Sequence, residues 1–422
     1  MYPGQEKGIL PIEEWAMGRW YKEGMTYEKF WKETGTKAFV VLKEDTLLYE
    51  YYDPQFDETS RFNSFSMSKP YVAVLAGIAL YEGCLCSIDE TVYDYLPDLV
   101  DSSFCSVKIR NLLQMTSGIK TNKKSFNPWG VTSRLYYGDD LYGVLEKLEL
   151  EKPPGTRWKY QNINIQLLGM VLERATGRSI SEYLEEKVWG PMGMEADAGW
   201  SLHEDTDEEK GFCCLNARAR DFARFGLLLK NRGNWYGEQL IPEDWIRYST
   251  RLDTSEGSRQ RYQNTFYLTA AQDDYFLEGL LGQFTYIAPE KDMVIVRLGN
   301  RINPSVPWYD MFRRISGLSK KPIPVELKPE DLQALEGTWL FGVSNFGDSV
   351  MVGKKAEIAA TRHGIEVSSS FNKTWEATPS SDTTFFNEKY ARNLEFLRDS
   401  TGNISRLQWE RRGNKWNLIR QE

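Results

Sequence analysis

The run Tyr71-Val72-Ala73-Val74-Leu75-Ala76-Gly77-Ile78-Ala79-Leu80 holds no charged side chain and a single phenol. A helix built from it is apolar nearly all the way round, so it has no face to offer water and must be buried. It is too short to cross a bilayer, which takes roughly 20 apolar residues. No other apolar run in the chain approaches that length. The chain must therefore fold as a core assembled around this helix.

Immediately before the run stands Ser66-Met67-Ser68-Lys69. A serine hydroxyl is a poor nucleophile until a base takes its proton. A lysine three residues on, one helical turn away on the same face, reaches that hydroxyl. Burial lowers a lysine pKa by disfavouring its charged form, and the helix N-terminus favours negative charge developing near Ser66. Ser66 thus reads as a nucleophile and Lys69 as its base. The pattern is short, and roughly one or two chance matches are expected in a chain of this size. Two others occur, Ser117-Gly118-Ile119-Lys120 and Ser370-Phe371-Asn372-Lys373. Only the match at Ser66 opens a buried helix.

The two histidines, His203 and His363, lie in loop-like contexts without a recognisable motif, and both are expected to be exposed. A Ser-His-Asp triad therefore has little to draw on, and there is no Gly-x-Ser-x-Gly elbow. Zinc motifs are also missing, and no metal site is expected. Proton transfer would fall to lysine and tyrosine. Turn chemistry at Pro153-Pro154-Gly155-Thr156 leads to Tyr160-Gln161-Asn162 and then a helical run from Ile163 to Thr176. Tyr160 and Asn162 sit at that loop-to-helix junction, where side chains can project into a cleft.

Taken in order, Ser66-x-x-Lys69, Ile109 to Ile119, Pro154-Gly155-Thr156 and Tyr160-x-Asn162 resemble the serine β-lactamase superfamily. The resemblance is strongest to its class C β-lactamase-like branch of carboxylesterases, 6-aminohexanoate-dimer hydrolases, D-aminopeptidases and β-lactamases. Phe212 to Gly226 resembles a structural helix of that branch, and the likeness spans roughly residues 25 to 318. It implies an α/β fold in which an antiparallel sheet of N- and C-terminal strands packs beside a helical subdomain, with the active site between. The branch carries a third motif on a strand, commonly Lys-Thr-Gly. Its expected counterpart here is Leu280-Leu281-Gly282, with no cation before the glycine. The resemblance then implies an oxyanion hole from the backbone N–H groups of Ser66 and Gln283. It further implies Asn162 orienting Lys69 and a substrate amide, and Gly282 close to substrate. Tyr160, beside a cationic Lys69, is expected to have a lowered pKa. Trp129, Tyr136 and Tyr137 fall in the region that lines the cleft and are candidate walls.

These readings converge on hydrolysis of a carboxylic ester or amide through an acyl-enzyme, with no cofactor. A β-lactamase or D-amino-acid peptidase is the runner-up, set back by the missing cation. A pseudoenzyme that only binds ligand is the alternative outside catalysis. The expected partner is a small-molecule ester or amide. A net charge of −8 argues against nucleic acid, no transmembrane segment is seen, and a homo-oligomer is left open. Met1 to Lys7 lacks a signal-peptide core, so the chain is either cytoplasmic or has lost a leader; the resemblance tilts toward the periplasm. Five cysteines leave at least one unpaired, and neighbours such as Cys213-Cys214 rarely meet disulfide geometry, so buried free thiols are expected.

At 422 residues two domains are expected. The expected hydrolase domain covers 1–320, with Val306 to Ile315 as a helix closing its sheet. Pro- and Lys-rich residues 321–334 form the linker. Residues 335–422, a series of short strands and turns, are expected as a small antiparallel barrel. That barrel resembles the lipocalin-like domain attached to some superfamily members.

Overall fold

The computed structural model describes residues 25–121, 130–138, 140–269, 272–301, 306–318, 323–344, 351–369, 372–387, 392–411 and 414–421. It comprises two compact units, one built on Trp31–Ile302 and the other on Asn303–Glu422 with Pro11–Phe30.

The first unit begins with a hairpin, β1 (Thr36–Lys43) and β2 (Thr46–Tyr52). Its two turn residues, Glu44 and Asp45, both have positive φ (50° and 61°). That turn geometry matches the twist of the strands it joins. Five later strands complete an antiparallel sheet: β3 (Tyr262–Gln263), β4 (Phe266–Leu268), β5 (Tyr275–Gly279), β6 (Gln283–Ala288) and β7 (Met293–Gly299). The strand order is β2-β1-β7-β6-β5-β4-β3. N-terminal β1 pairs with late β7 from Thr36↔Gly299 to Lys43↔Met293, so both ends of the unit meet inside one sheet.

Within β7, Arg297 is fully buried. Its guanidinium donates to Thr36 Oγ1 (3.0 Å), Gly282 O (2.6 Å) and Thr34 O (3.0 Å), tying the start of β1 to the turn after β5. Burial lowers its pKa to about 9.

Four helices place the site: α1 (Lys69–Tyr81), α2 (Val131–Tyr137), α3 (Asn162–Thr176) and α4 (Ala219–Lys230). Every residue of α1 from Lys69 to Ala79 is buried, as its uniform apolarity requires. Its neighbours approach very closely. A Cβ at Gly77 would overlap the Trp245 indole, whose Nε1 donates to Ala73 O at 2.9 Å. On another side Tyr71 stacks on Phe225 of α4 at 3.7 Å. Helix α4 in turn lies on the sheet, where a Cβ at Gly226 would strike Val294 and Thr285.

Two expectations fail in this unit. Cys213 and Cys214 are joined to each other in a disulfide; of the remaining cysteines, Cys86 and Cys105 are exposed and Cys84 half-buried. The left-handed backbone at Cys214 (φ 72°) provides the turn that adjacent cysteines otherwise lack. His203 is buried, with Nε2 3.4 Å from Gln166 Oε1, and burial pushes its pKa down to about 4. Its acidic neighbours Glu204 and Asp205 face solvent while the imidazole turns inward. His363 is exposed, as expected.

In the second unit, α5 (Trp308–Ile315) forms where a closing helix was expected, and its Trp308 ring lies 6.2 Å from Phe30. The expected C-terminal barrel is present. Its strands are β8 (Gly337–Ser344), β9 (Lys355–Ala360), β10 (Ile365–Ser369) and β11 (Asn372–Pro379), then β12 (Thr384–Asn387), β13 (Arg392–Arg398), β14 (Ile404–Arg411) and β15 (Asn414–Arg420). They close antiparallel, with β8 paired to both β9 and β15. Closure removes the exposed edges an open sheet would leave. Alternate residues point inward, and Trp339, Phe341, Trp375, Phe385, Phe396 and Trp409 pack the interior. No helix among the described residues is long and apolar enough to cross a membrane.

Candidate active site

Ser66 lies in a single tight turn, Phe65–Ser68, that runs directly into α1. The residue before it, Phe65, has φ 46°, a conformation a bulky side chain adopts only when its surroundings impose it. Here Asn63 Oδ1 accepts from Phe65 N at 2.7 Å, Leu215 O accepts from Ser64 N at 2.9 Å, and Cys214 N donates to Phe65 O at 3.3 Å. The turn is thereby clamped, and the Ser66 hydroxyl is half-buried.

Lys69 Nζ sits 2.7 Å from Ser66 Oγ and donates to Phe212 O at 2.7 Å. The lysine is 1% exposed, and burial holds its pKa well below the usual lysine value. A neutral amine that gives one hydrogen to Phe212 O can turn its lone pair toward the serine hydroxyl.

Tyr160 also stands beside Ser66. Its pKa is raised rather than lowered. Burial is the main cause, the Ser66 hydroxyl opposes it, and Tyr136 and Glu278 add to it. The expected lowering assumed a cationic Lys69, and burial disfavours that charge. The Lys69 amine lies 5.0 Å from the centre of the Tyr160 ring, over its face.

Tyr136 is more central than a cleft wall. Its side chain lies beside both Ser66 and Asn162, and its ring meets Phe212 edge-on at 5.0 Å. Tyr137, the next residue of α2, is 89% exposed and faces away. Nothing in the sequence separates these adjacent tyrosines; the packing of α2 does. Asn162, the first residue of α3, is buried and meets Tyr136, where the resemblance placed it against Lys69. Trp129 lies outside the described residues, as does Ser370 of the third Ser-x-x-Lys match. Ser117 is buried and donates to Asn164 Oδ1 at 2.7 Å.

The third motif is displaced from its expected place. Leu280, Leu281 and Gly282 form the turn between β5 and β6 and are not strand, with Leu281 and Gly282 at φ 63° and 82°. A Cβ at Gly282 would run into the Arg297 guanidinium. The Gln283 side chain donates to Leu280 O (3.0 Å) and Gly299 O (2.7 Å) and accepts from Gly299 N (3.0 Å), bracing the turn. The glycine that abuts the Ser66 turn is Gly279, the last residue of β5, where a Cβ would strike Ser64 O and crowd Met67 N. Among the described residues no group of three or more His, Cys, Asp or Glu side chains is placed to hold a metal ion.

Comparison with known proteins agrees with this architecture. The Beta-lactamase family profile matches residues 26–316. The 6-aminohexanoate-dimer hydrolase of Paenarthrobacter ureafaciens is 25% identical over 314 residues, covering 66% of this chain and 76% of that protein. Among solved structures, the penicillin binding protein from Bacillus halodurans superposes with a TM-score of 0.55 at 17% identity, over 68% of this chain and 98% of that one. SurE superposes with a TM-score of 0.52 at 18% identity, over 93% of this chain and 97% of its own. At such identities the two structures speak to fold alone.

Proposed function

The chain belongs to the Beta-lactamase family, and we propose that it hydrolyses a carboxylic ester or amide through an acyl-enzyme on Ser66. The observation that carries this reading is the 2.7 Å approach of a buried, charge-depleted Lys69 amine to the Ser66 hydroxyl. Binding alone needs no activated serine. The relative named above as a 6-aminohexanoate-dimer hydrolase is consistent with acyl transfer as the chemistry.

In this mechanism Lys69 takes the Ser66 proton as Oγ bonds to the substrate carbonyl carbon. The carbonyl oxygen becomes an oxyanion held by the Ser66 N–H and a second backbone donor, usually the largest single catalytic contribution. We assign that donor to Leu280, the residue after Gly279, in place of Gln283. Tyr160 gives its phenolic proton to the leaving group, which departs with its bonding pair, and takes back the proton that Lys69 removed from the serine. Water then attacks the acyl-enzyme by the reverse relay, releasing the acid and restoring the serine. Tyr136, beside Ser66 and Asn162, holds the serine and the substrate amide in register.

A fluorophosphonate probe should add to the protein once, with the adduct mapping to Ser66. Labelling at Ser117 or Ser370, or none at all, would reject the assignment.

Small neutral esters should be turned over far better than cephalosporins. From Leu277 to Gln283 there is no Lys or His, where β-lactam-handling relatives place a cation. A β-lactam carboxylate therefore lacks a charge-assisted hydrogen bond worth roughly 1.5–3 kcal/mol, or about ten- to a hundredfold in rate. The check is kcat/KM for a p-nitrophenyl short-chain ester against nitrocefin. A clear preference for nitrocefin would promote the β-lactamase reading and point to Arg259, which is exposed and stands 4.6 Å over the Trp158 ring.

A further inference from the structure

We propose that Glu278 recognises an ammonium group on the leaving-group side of the substrate, so that esters and amides of amino alcohols or diamines are the preferred class. The inference rests on the serine-hydrolase reading above and adds the charge of the substrate to it.

Glu278 immediately precedes Gly279 on β5, the strand end that abuts the Ser66 turn. Side chains alternate along a strand. Leu277 is buried in the core, so Glu278 shares the opposite face with Phe276. That face is aromatic. Phe276 stacks on its cross-strand partner Tyr267 at 5.3 Å, Tyr267 meets Tyr262 edge-on at 5.0 Å, and Tyr262 meets Tyr160 at 6.1 Å. The Glu278 charge reaches both Tyr160 and Tyr267, raising the pKa of each. The carboxyl therefore stands on the side of the tyrosine assigned to protonate the leaving group.

Glu278 forms no hydrogen bond or ion pair with any described residue, although it is half-buried. A carboxylate so placed is costly unless an opposite charge joins it. Burial raises its pKa to about 7, with Arg259 opposing. The groups facing it are Tyr160, Tyr267 and Arg259. An ammonium entering here would gain an opposite charge in the carboxylate and the faces of tyrosine rings, the pairing that suits organic cations. A carboxylate entering here would meet like charge.

The test uses three thioacetates that differ in leaving-group charge: acetylthiocholine, its neutral isostere S-(3,3-dimethylbutyl) thioacetate, and S-acetyl-3-mercaptopropionate. Release of thiol gives kcat/KM for each. The wild-type protein should favour the cationic ester over the neutral one by about tenfold and should disfavour the anion. That ratio should rise with pH as Glu278 ionises through about 7. In Glu278→Gln the ratio should fall to near one and lose its pH dependence, and in Glu278→Lys the anionic ester should overtake the cationic one. A structural role for Glu278 would slow all three substrates together and leave their ratio unchanged. Fluorophosphonate labelling of Ser66 in each variant reports whether the hydrolase site itself is intact. A labelled wild-type enzyme that treats the three thioesters alike, or cleaves none, overturns the ammonium inference alone. A cation preference that survives in Glu278→Gln overturns it as well. Failure of wild-type labelling counts against the hydrolase reading instead.

Discussion

Ser66→Ala should lower kcat by about 10⁴-fold or more, because removing the nucleophile of a cooperative unit forfeits nearly all that the unit contributes. The residual rate would come from the oxyanion donors and from substrate binding. The fold should survive. Ser66 is half-buried in a turn whose clamps are the side chain of Asn63 and the backbone of Ser64, Phe65, Cys214 and Leu215, none of which uses the Ser66 hydroxyl. Circular dichroism and a thermal melt should therefore match the wild-type protein while turnover disappears. Retention of more than a few per cent of wild-type kcat, in a preparation free of wild-type enzyme, would remove Ser66 from the mechanism.

Lys69→Met should cost about 10²–10⁴-fold in kcat/KM, the usual range for a positioned general base, and should change the pH profile. In the wild-type protein only neutral Lys69 can accept the serine proton. Burial sets its pKa well below 10.5, so activity is present above that lowered value and is lost as pH falls through it. The methionine variant should lack this acid limb. Stability should move the opposite way. Between the lowered folded pKa and 10.5 the unfolded chain binds a proton that the folded chain does not, so wild-type stability rises with pH across that window. Methionine fills similar space without a proton to lose, so Lys69→Met should melt higher than wild type at neutral pH. The gap should close as pH approaches 10.5. A variant that melts lower at pH 7 and keeps the acid limb would show Lys69 to be a structural cation rather than the base.

How much of this was legible beforehand depended on how local each feature is. Residues 71–80 are apolar on every side, and that alone requires a buried helix wherever the rest of the chain goes. The three-residue spacing from Ser66 to Lys69 places both side chains at one helix start because helical pitch does so. The run of short strands after residue 335 is likewise a short-range pattern, and the structure contains it as a closed barrel.

Other features depended on contacts between distant residues. The acceptor that positions Lys69 is Phe212 O, 143 residues away, and a backbone carbonyl leaves no trace in sequence. Tyr136 and Tyr137 are equivalent as letters, and only the packing of α2 turns one toward Ser66 and the other to water. Gly279 and Gly282 both suit a close backbone approach; the Arg297 guanidinium fills the space beside the second and leaves the first against the nucleophile's turn. His203 lies among acidic residues yet is buried against Gln166. The sequence by itself determined the central helix and the placing of Ser66 and Lys69 together at its start, because helix geometry and apolar burial act within a few residues. Tertiary structure decided which glycine meets the Ser66 turn, which tyrosine turns inward and where the half-buried Glu278 carboxyl stands, because each is defined by which distant segment stops water or another side chain from occupying its place.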